Sequence, residues 1–371
     1  MSALFRPVEF RGLRLENRIM ISPMCQYSAG DGSATDWHLV HLGHLALGGA
    51  GVLFVEATAV DAVGRITPGC LGLYSDANET ALARVIRAVR AHSPMPLGIQ
   101  LAHAGRKASS RVPWEGGTLI AVGEGGWTPV APSAVPHSEG GPAPHALTRA
   151  ELDAIKSDFV HAVRRAERIG FDAVEIHAAH GYLLHTFLSP LSNRRGDEYG
   201  GSLENRMRFV LEVFAAMRAA WPERKPMGVR LSATDWVEGG WDLAQTITLA
   251  KALKSAGCDW IDASSGGLSP KQRIAAGPGY QVPLAESIRK EAGIATIAVG
   301  LITDPRQAED IVAGGKADMV ALARAVLYDP RWAWHAAAEL GAQVWAPEQY
   351  WRCPPYGAGS ELFRAARTGQ R

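Results

Sequence analysis

The chain has 371 residues, of which 47% are hydrophobic, with 38 lysines and arginines set against 37 aspartates and glutamates. That balance gives no electrostatic case for a nucleic-acid or anionic-membrane partner. Its four cysteines, Cys25, Cys70, Cys258 and Cys353, are scattered without a Cys-x-x-Cys pair for zinc or an iron–sulfur cluster. No apolar signal core opens the chain, and no run of about 18 apolar residues occurs, so a soluble, cytoplasmic protein is expected. The length suits either two domains or one large α/β barrel.

In chain order, residues 1–18 read as a small hairpin or cap, with Phe5, Val8 and Phe10 apolar and Gly12 at a turn. Strand-like runs then recur at Ile19–Ser22, Val52–Ala57, Leu97–Leu101, Ala173–Ile176, Gly228–Leu231, Trp260–Ala263, Thr296–Val299 and Met319–Leu322. Helix starts separate them. Asp76 with Glu79, Thr148 with Glu151 and Asp242 with Gln245 have capping-box spacing. Asp304-Pro305 and Asp329-Pro330 pair an N-cap residue with a first-turn proline, and Ser202 opens a helix whose Leu203, Met207, Val210, Phe214 and Met217 share a face. Repeated β-α units of this kind predict an α/β fold with a single closed (β/α)8 TIM barrel. A doubly wound sheet in two domains is the competing architecture.

The connection after the third strand, 106–145, is rich in glycine and proline and carries Trp114 and Trp127. A loop of that length is expected to form a lid or wall over the barrel mouth. Past the eighth unit, Gln349-Tyr-Trp-Arg-Cys-Pro-Pro355 contains two prolines that disfavour a continuing helix, so 341–371 reads as an extended tail. Its aromatics and Arg352 are residue types that anchor interfaces.

Chemistry gathers at the C-terminal ends of barrel strands. Here those ends read Ser22-Pro-Met-Cys25, Glu56-Ala57-Thr58, Gln100 with His103, His177 with His180, Arg230, Ser264-Ser265, Gly300 and Arg324. The densest stretch is Asp172-Ala-Val-Glu-Ile-His177-Ala-Ala-His180-Gly-Tyr182. Val174 and Ile176 form a short buried strand that stops where the polar residues begin. His177 and His180 would face opposite ways in a pleated strand, so they converge only if the chain turns between them, as Gly181 permits. Two imidazole donors and a phenol at one mouth can polarise an oxygen and deliver a proton. Each histidine alone also fits a satisfied core or rim residue. Glu175, His177 and His180 could instead ligate a metal, which would make the chain a metal-dependent barrel hydrolase or lyase, although Glu175 faces away from His180 if the strand holds. A non-enzymatic ligand-binding barrel is a third possibility. The last two strands, ending in Val299-Gly300 and Ala323-Arg324, occupy the usual phosphate corner of this architecture. With no Gly-x-Gly-x-x-Gly after a strand and no Walker loop, a phosphorylated cofactor lying across the mouth fits better than a tightly held dinucleotide.

Three motifs carry a family resemblance: Ser22-Pro-Met-Cys-Gln-Tyr27, His177-Ala-Ala-His180-Gly-Tyr182, and Asn193-Arg-Arg-Gly-Asp-Glu-Tyr-Gly-Gly-Ser-Leu-Glu-Asn-Arg-Met-Arg-Phe209. The chain resembles, from its first strand to about Arg352, the old yellow enzyme family of FMN-dependent ene-reductases. Cys25, Tyr27 and Gln-Tyr-Trp-Arg352 are similar to the thermophilic-like branch that includes the xenobiotic reductases. The resemblance implies non-covalently bound FMN lined by Ser22, Pro23, Met24, Cys25, Ala57, Gln100 and Arg230, with Gly300, Ala323 and Arg324 on its 5′-phosphate. It places Arg230 where reduced flavin becomes anionic and Cys25 where a thiol can modulate the flavin. It also implies that His177 and His180 bind the carbonyl oxygen of an enone, that Tyr182 protonates the α-carbon, and that Tyr27 covers the substrate. NADPH or NADH would act as transient reductant, and enones, maleimides or nitroalkenes as acceptors. In that branch the arginine matching Arg352 enters the partner subunit's active site, which implies a homodimer or a dimer-built tetramer. The larger relatives, 2,4-dienoyl-CoA reductases and trimethylamine dehydrogenase, add a cysteine-ligated cluster and further domains with no counterpart in this sequence.

Overall fold

The computed structural model describes residues 2–354 and 361–365. Val8–Phe10 pairs antiparallel with Leu13–Leu15, and this hairpin caps the N-terminal end of a closed barrel. The barrel strands are β1 (Ile19–Ile21), β2 (Val52–Ala59), β3 (Leu97–Ala102), β4 (Ala173–Ala178), β5 (Met227–Ser232), β6 (Trp260–Ser264), β7 (Ala295–Ala298) and β8 (Met319–Leu322). Every neighbouring pair is parallel and consecutive in the chain, and β8 closes on β1. Nearly every residue in these strands is buried, as expected when one face meets the barrel interior and the other meets helices. The single closed barrel replaces the two-domain alternative.

Outside the barrel lie α1 (Asp36–Ala46), α2 (Asp76–Arg90), α3 (Arg149–Ile169), α4 (Leu183–Leu188), α5 (Leu203–Ala220), α6 (Leu243–Ser255), α7 (Val282–Ala292), α8 (Pro305–Ala313), α9 (Arg324–Tyr328) and α10 (Trp332–Glu339). The capping box at Thr148 and Glu151 forms as its spacing predicts, and Gly170 ends α3 at φ 98°. Two starts shift. Ser75, not Asp76, caps α2 by accepting the Asn78 N–H, because Asp76 already has a helical backbone. Before α10, the Asp329 carboxylate accepts the Arg331 N–H and delays the helix to Trp332. Among the described residues no helix is long and apolar enough to cross a membrane.

Two apolar layers divide the interior. The larger fills the space between strands and helices, and the smaller fills the barrel floor with Phe10, Leu15, Met20, Phe54, Trp260 and Met319. The Trp260 ring lies 5.5 Å from Phe10 and 6.1 Å from Phe54, so the hairpin contributes to the floor. Bulk there demands glycine opposite it. A Cβ at Gly98 would stand 2.5 Å from the Phe54 ring, and one at Gly228 would overlap the Trp260 indole.

The 106–145 loop is ordered by short helical turns and a two-residue parallel ladder between Val130–Ala131 and His145–Ala146. Trp127 locks it to the wall: its indole N–H donates to the Val63 carbonyl at 2.9 Å, and the Arg65 guanidinium lies 5.2 Å from its ring. In the tail, Glu348–Tyr350 forms a helical turn rather than extended chain, and Trp334 contacts Tyr350 and Phe363. Pro355 and the segments 355–360 and 366–371 of the expected interface tail lie outside the described residues.

Gly228→Ala is expected to cost about 1–3 kcal/mol of stability by overpacking the floor, read as a lower urea midpoint at unchanged m-value. An unchanged midpoint would mean that Trp260 can turn aside.

Candidate active site

The turn at the histidine pair begins two residues later than the sequence indicates. β4 continues through His177 to Ala178, and the backbone reverses at His180 itself, whose φ is 57°, followed by Gly181 at 76°. A left-handed conformation at a histidine is strained. Here it is held from both sides: the His180 N–H donates to Ser232 Oγ at 2.9 Å, and Lys107 Nζ donates to the His180 carbonyl at 2.9 Å. Opposite stands a second left-handed turn, Gly266-Gly267. A Cβ on Gly267 would lie 2.5 Å from His180 Cα, and one on Gly181 would strike the Gly267 carbonyl.

This turn brings the two imidazoles together, with ring centres 5.0 Å apart and Tyr182 4.8 Å from His177. The Ala179 N–H donates to His177 Nδ1, which assigns the proton of a neutral His177 to Nε2. That atom lies 3.3 Å from His180 Nδ1, while His180 Nε2 lies 2.7 Å from Ser264 Oγ. In this arrangement His180 Nδ1 accepts from the His177 Nε2–H; when an oxygen comes between the rings, a Ser264 hydroxyl donating to His180 Nε2 leaves the His180 proton on Nδ1, and the pair can then offer two N–H donors. Burial first, then the Arg230 charge, holds both histidines well below their ordinary pKa, so both are neutral donors. Burial pushes the Tyr182 phenol well above its usual value and keeps its proton in place. Lys107 Nζ sits 5.3 Å from the Tyr182 ring centre. The left-handed residue Tyr27 faces Trp114 of the long loop at 5.7 Å.

The remaining strand ends share this mouth. Ser22 is buried at the end of β1, and its hydroxyl has no protein partner. Pro23, Met24 and Cys25 follow, half-buried, with burial raising the Cys25 thiol so that it stays protonated. Behind them, Glu56 accepts the Gln26 N–H at 3.0 Å and stands 3.3 Å from His38 Nε2. Ala57 follows a register shift in β2. Below the mouth, the Gln100 amide donates to Glu175 at 2.8 Å, Trp260 donates to the same carboxyl at 3.2 Å, and Arg230 faces Asp262 at 3.2 Å. Burial raises Glu175 and Asp262 alike, while Arg230 opposes the shift in both. Glu175 is therefore committed inside the barrel and does not join the histidines. Among the described residues no group of three His, Cys, Asp or Glu side chains is arranged to hold a metal ion. At the far side, Gly300 adopts φ 129°, where an L side chain is strained, and Arg324 lies exposed at the start of α9 beside Ala323. A buried hydroxyl without a partner among the described residues, the left-handed Gly300 just past the end of β7 and the exposed Arg324 suit FMN.

Arg352 does not reach this mouth. Residues 345–351, which precede it, line a pocket together with Leu47, Ala91 and His92 just past the C-terminal ends of α1 and α2, on the opposite end of the barrel. The 193–209 motif supplies no group to the mouth. Asn193 donates to the Phe187 and Tyr199 carbonyls, Arg195 to the Pro132 carbonyl, and Arg206 to Leu188 and to Gln245, bracing α4 and the long loop from behind.

Residues 3–343 match the NADH:flavin oxidoreductase / NADH oxidase family. The chain is 46% identical to an NADPH dehydrogenase of Geobacillus thermodenitrificans over 353 residues, 95% of this chain and 98% of that protein. Among solved structures, morphinone reductase superposes with a TM-score of 0.76 at 28% identity, over 99% of this chain and 94% of that one. The old yellow enzyme homologue of Zymomonas mobilis gives 0.74 at 26% identity, over 96% and 98%. The chain belongs to the NADH:flavin oxidoreductase / NADH oxidase family, within its old yellow enzyme group. It is a TIM-barrel flavin oxidoreductase that uses FMN, with NAD(P)H as reductant.

Lys107 and Ser232 were not singled out by the sequence, and Ser264 was read only as a polar strand end; their contacts follow from the turn, which no local pattern encodes. Ser264→Ala is expected to weaken enone binding about fivefold, the worth of roughly 1 kcal/mol for one hydrogen bond. Titrating the bound flavin's absorbance with the enone measures this, and unchanged binding would show that Ser264 does not set the His180 proton.

Proposed function

We propose that the protein is an NAD(P)H-dependent ene-reductase acting on activated alkenes such as enones, maleimides and nitroalkenes. The observation that carries this reading is the 3.3 Å approach of His177 Nε2 to His180 Nδ1, both neutral, beside a protonated Tyr182. Two N–H donors aimed at one oxygen withdraw charge from a conjugated C=C bond. His177 and His180 hold the electron-withdrawing oxygen, Tyr182 gives its proton to the α-carbon, and Tyr27 covers the substrate. Ser22, Pro23, Met24, Cys25, Ala57, Gln100 and Arg230 would line the FMN ring, with Gly300, Ala323 and Arg324 at its phosphate; once bound, the flavin supplies hydride for the β-carbon. The Arg230 guanidinium favours negative charge beside it, and the protonated Cys25 thiol offers a weak donor.

Stopped-flow kinetics with separate half-reactions test these roles. His177→Ala and His180→Ala are expected to weaken enone binding and to slow flavin reoxidation more than reduction. Tyr182→Phe is expected to slow reoxidation by enones about 10²–10⁴-fold, the usual contribution of general acid catalysis. Unchanged reoxidation in all three variants would refute the assignment.

We also infer that the chain works as a homodimer, or as a tetramer built from dimers. Exposed apolar side chains support this: Trp37 and Val40 on α1 and Leu327 and Tyr328 on α9, Tyr328 by 95%. Arg331 ties α1 to the tail, donating to the His44 carbonyl at 2.7 Å while its guanidinium lies near Trp334 and Tyr350. Exposed patches of this kind mark contacts with a partner, and Arg352 follows directly. Arg352 then completes the neighbour's substrate pocket. Mixed dimers of Arg352→Ala and Tyr182→Phe subunits check it: both defects fall on one site, leaving about half of wild-type activity. A fully active monomer would exclude the shared site.

A further inference from the structure

Under the 106–145 loop, next to the catalytic turn, lies a cavity of about 540 Å³ lined by Tyr27, Arg106, Lys107, Arg111, His137 and Ser138 among others. No carboxylate lines it. Arg106 is buried and Lys107 half-buried, and among the described residues no carboxylate pairs with either, although the charge of Asp235 is felt at Arg106. The Arg106 guanidinium donates to the carbonyls of Val135, Pro136 and Leu268, and its Nε, in a side chain of a residue only 5% exposed, has no partner. Lys107 spends its ammonium on the carbonyls of His180 and Gly267. Burial lowers Arg106 to about 10 and Lys107 to about 8, and for Lys107 the neighbouring Arg106 adds to the effect. Desolvated cations braced by carbonyls, with Asp235 opposing Arg106 but no carboxylate in contact, leave a positive potential in the cavity. Arg111, paired with Glu124 at 3.0 Å, adds a third cation at the exposed edge.

We propose that this cavity is an anion subsite that seats the diphosphate of the nicotinamide dinucleotide while its nicotinamide passes Tyr27 to the histidine pair. Three observations favour the dinucleotide over an anionic group on the alkene. Its diphosphate carries two charges, matching a cavity with more than one cation. Lys107 spans the gap, touching the cavity and standing over Tyr182. The volume also exceeds what a single carboxylate needs and falls in the range of sites for whole ligands. The held ligand must leave before the alkene enters. Carbonyl-braced cations at a partly open wall suit that, because they attract the diphosphate without enclosing it.

The inference rests on the flavin reductase reading, and the test separates the two. Anaerobic stopped-flow reduction of the FMN holoenzyme is followed with NADPH and with 1-benzyl-1,4-dihydronicotinamide, a hydride donor without phosphate. Arg111→Gln and the charge-reversing Ser138→Glu are both at exposed positions. Each is expected to raise the Kd of NADPH about tenfold relative to that of the benzyl donor, and added salt should narrow the gap. Reoxidation by neutral 2-cyclohexenone and by a carboxylate-bearing enone provides the second arm. If the variants weaken the carboxylate enone and leave the donor ratio unchanged, the subsite serves the alkene and the proposal falls. If neither ratio moves, the cavity holds no anion and the proposal falls as well. A holoenzyme reduced by neither donor would refute the reductase reading, and this inference with it.

Discussion

The active site depends on two left-handed turns pressed against each other, His180-Gly181 from β4 and Gly266-Gly267 after β6. Glycine at three of the four positions lets the backbones approach, and the fourth is the histidine that must reverse direction to meet His177. Its strain, of order 1–3 kcal/mol, is offset by Ser232 on its N–H and Lys107 on its carbonyl. The tip of β5 and the start of the long loop therefore fix one dihedral angle of one histidine of the pair. Helix α4 begins at once, with Tyr182 at its N-cap and His185 accepting the Gly181 N–H, so the phenol is placed by the same turn.

A second theme is the control of charge beneath the mouth. Arg230, Asp262, Glu175 and Gln100 form a polar layer above an aromatic floor, every member at least nine-tenths buried. Two carboxyls share one guanidinium, and burial favours their protonated forms. The guanidinium thereby keeps positive charge for the face above it, and it adds to burial in keeping the two histidines neutral. An imidazolium pair would bind an anion tightly, whereas neutral N–H donors favour an uncharged acceptor.

How much of this was legible depended on the range of the interactions. The strands and most helix starts were readable because they rest on local patterns: buried apolar runs, Thr148 with Glu151, Asp304 before Pro305. The misplacements at Ser75 and Arg331 were choices between adjacent polar residues, each able to cap. His177, His180 and Tyr182 were visible as a cluster, yet the turn that unites them needed Ser232 and Lys107, which are 52 and 73 residues away from His180. The long 193–209 motif, the most specific signal of kinship, does its work as a brace. Its Asn193 and Arg206 satisfy carbonyls around α4, an unseen task that no residue-type argument would have assigned.

The hairpin at the base has a consequence for traffic. Arg11 binds Asp259 at 2.7 Å and donates to the Gly257 and Glu223 carbonyls, riveting the hairpin to the loops beneath β5 and β6, while Phe10 seals Trp260 from below. With the floor closed and the polar layer packed above it, the interior offers no through-passage. Any ligand must therefore come and go by the mouth, so a plug of apolar side chains far from the histidine pair decides on which face of the barrel exchange takes place.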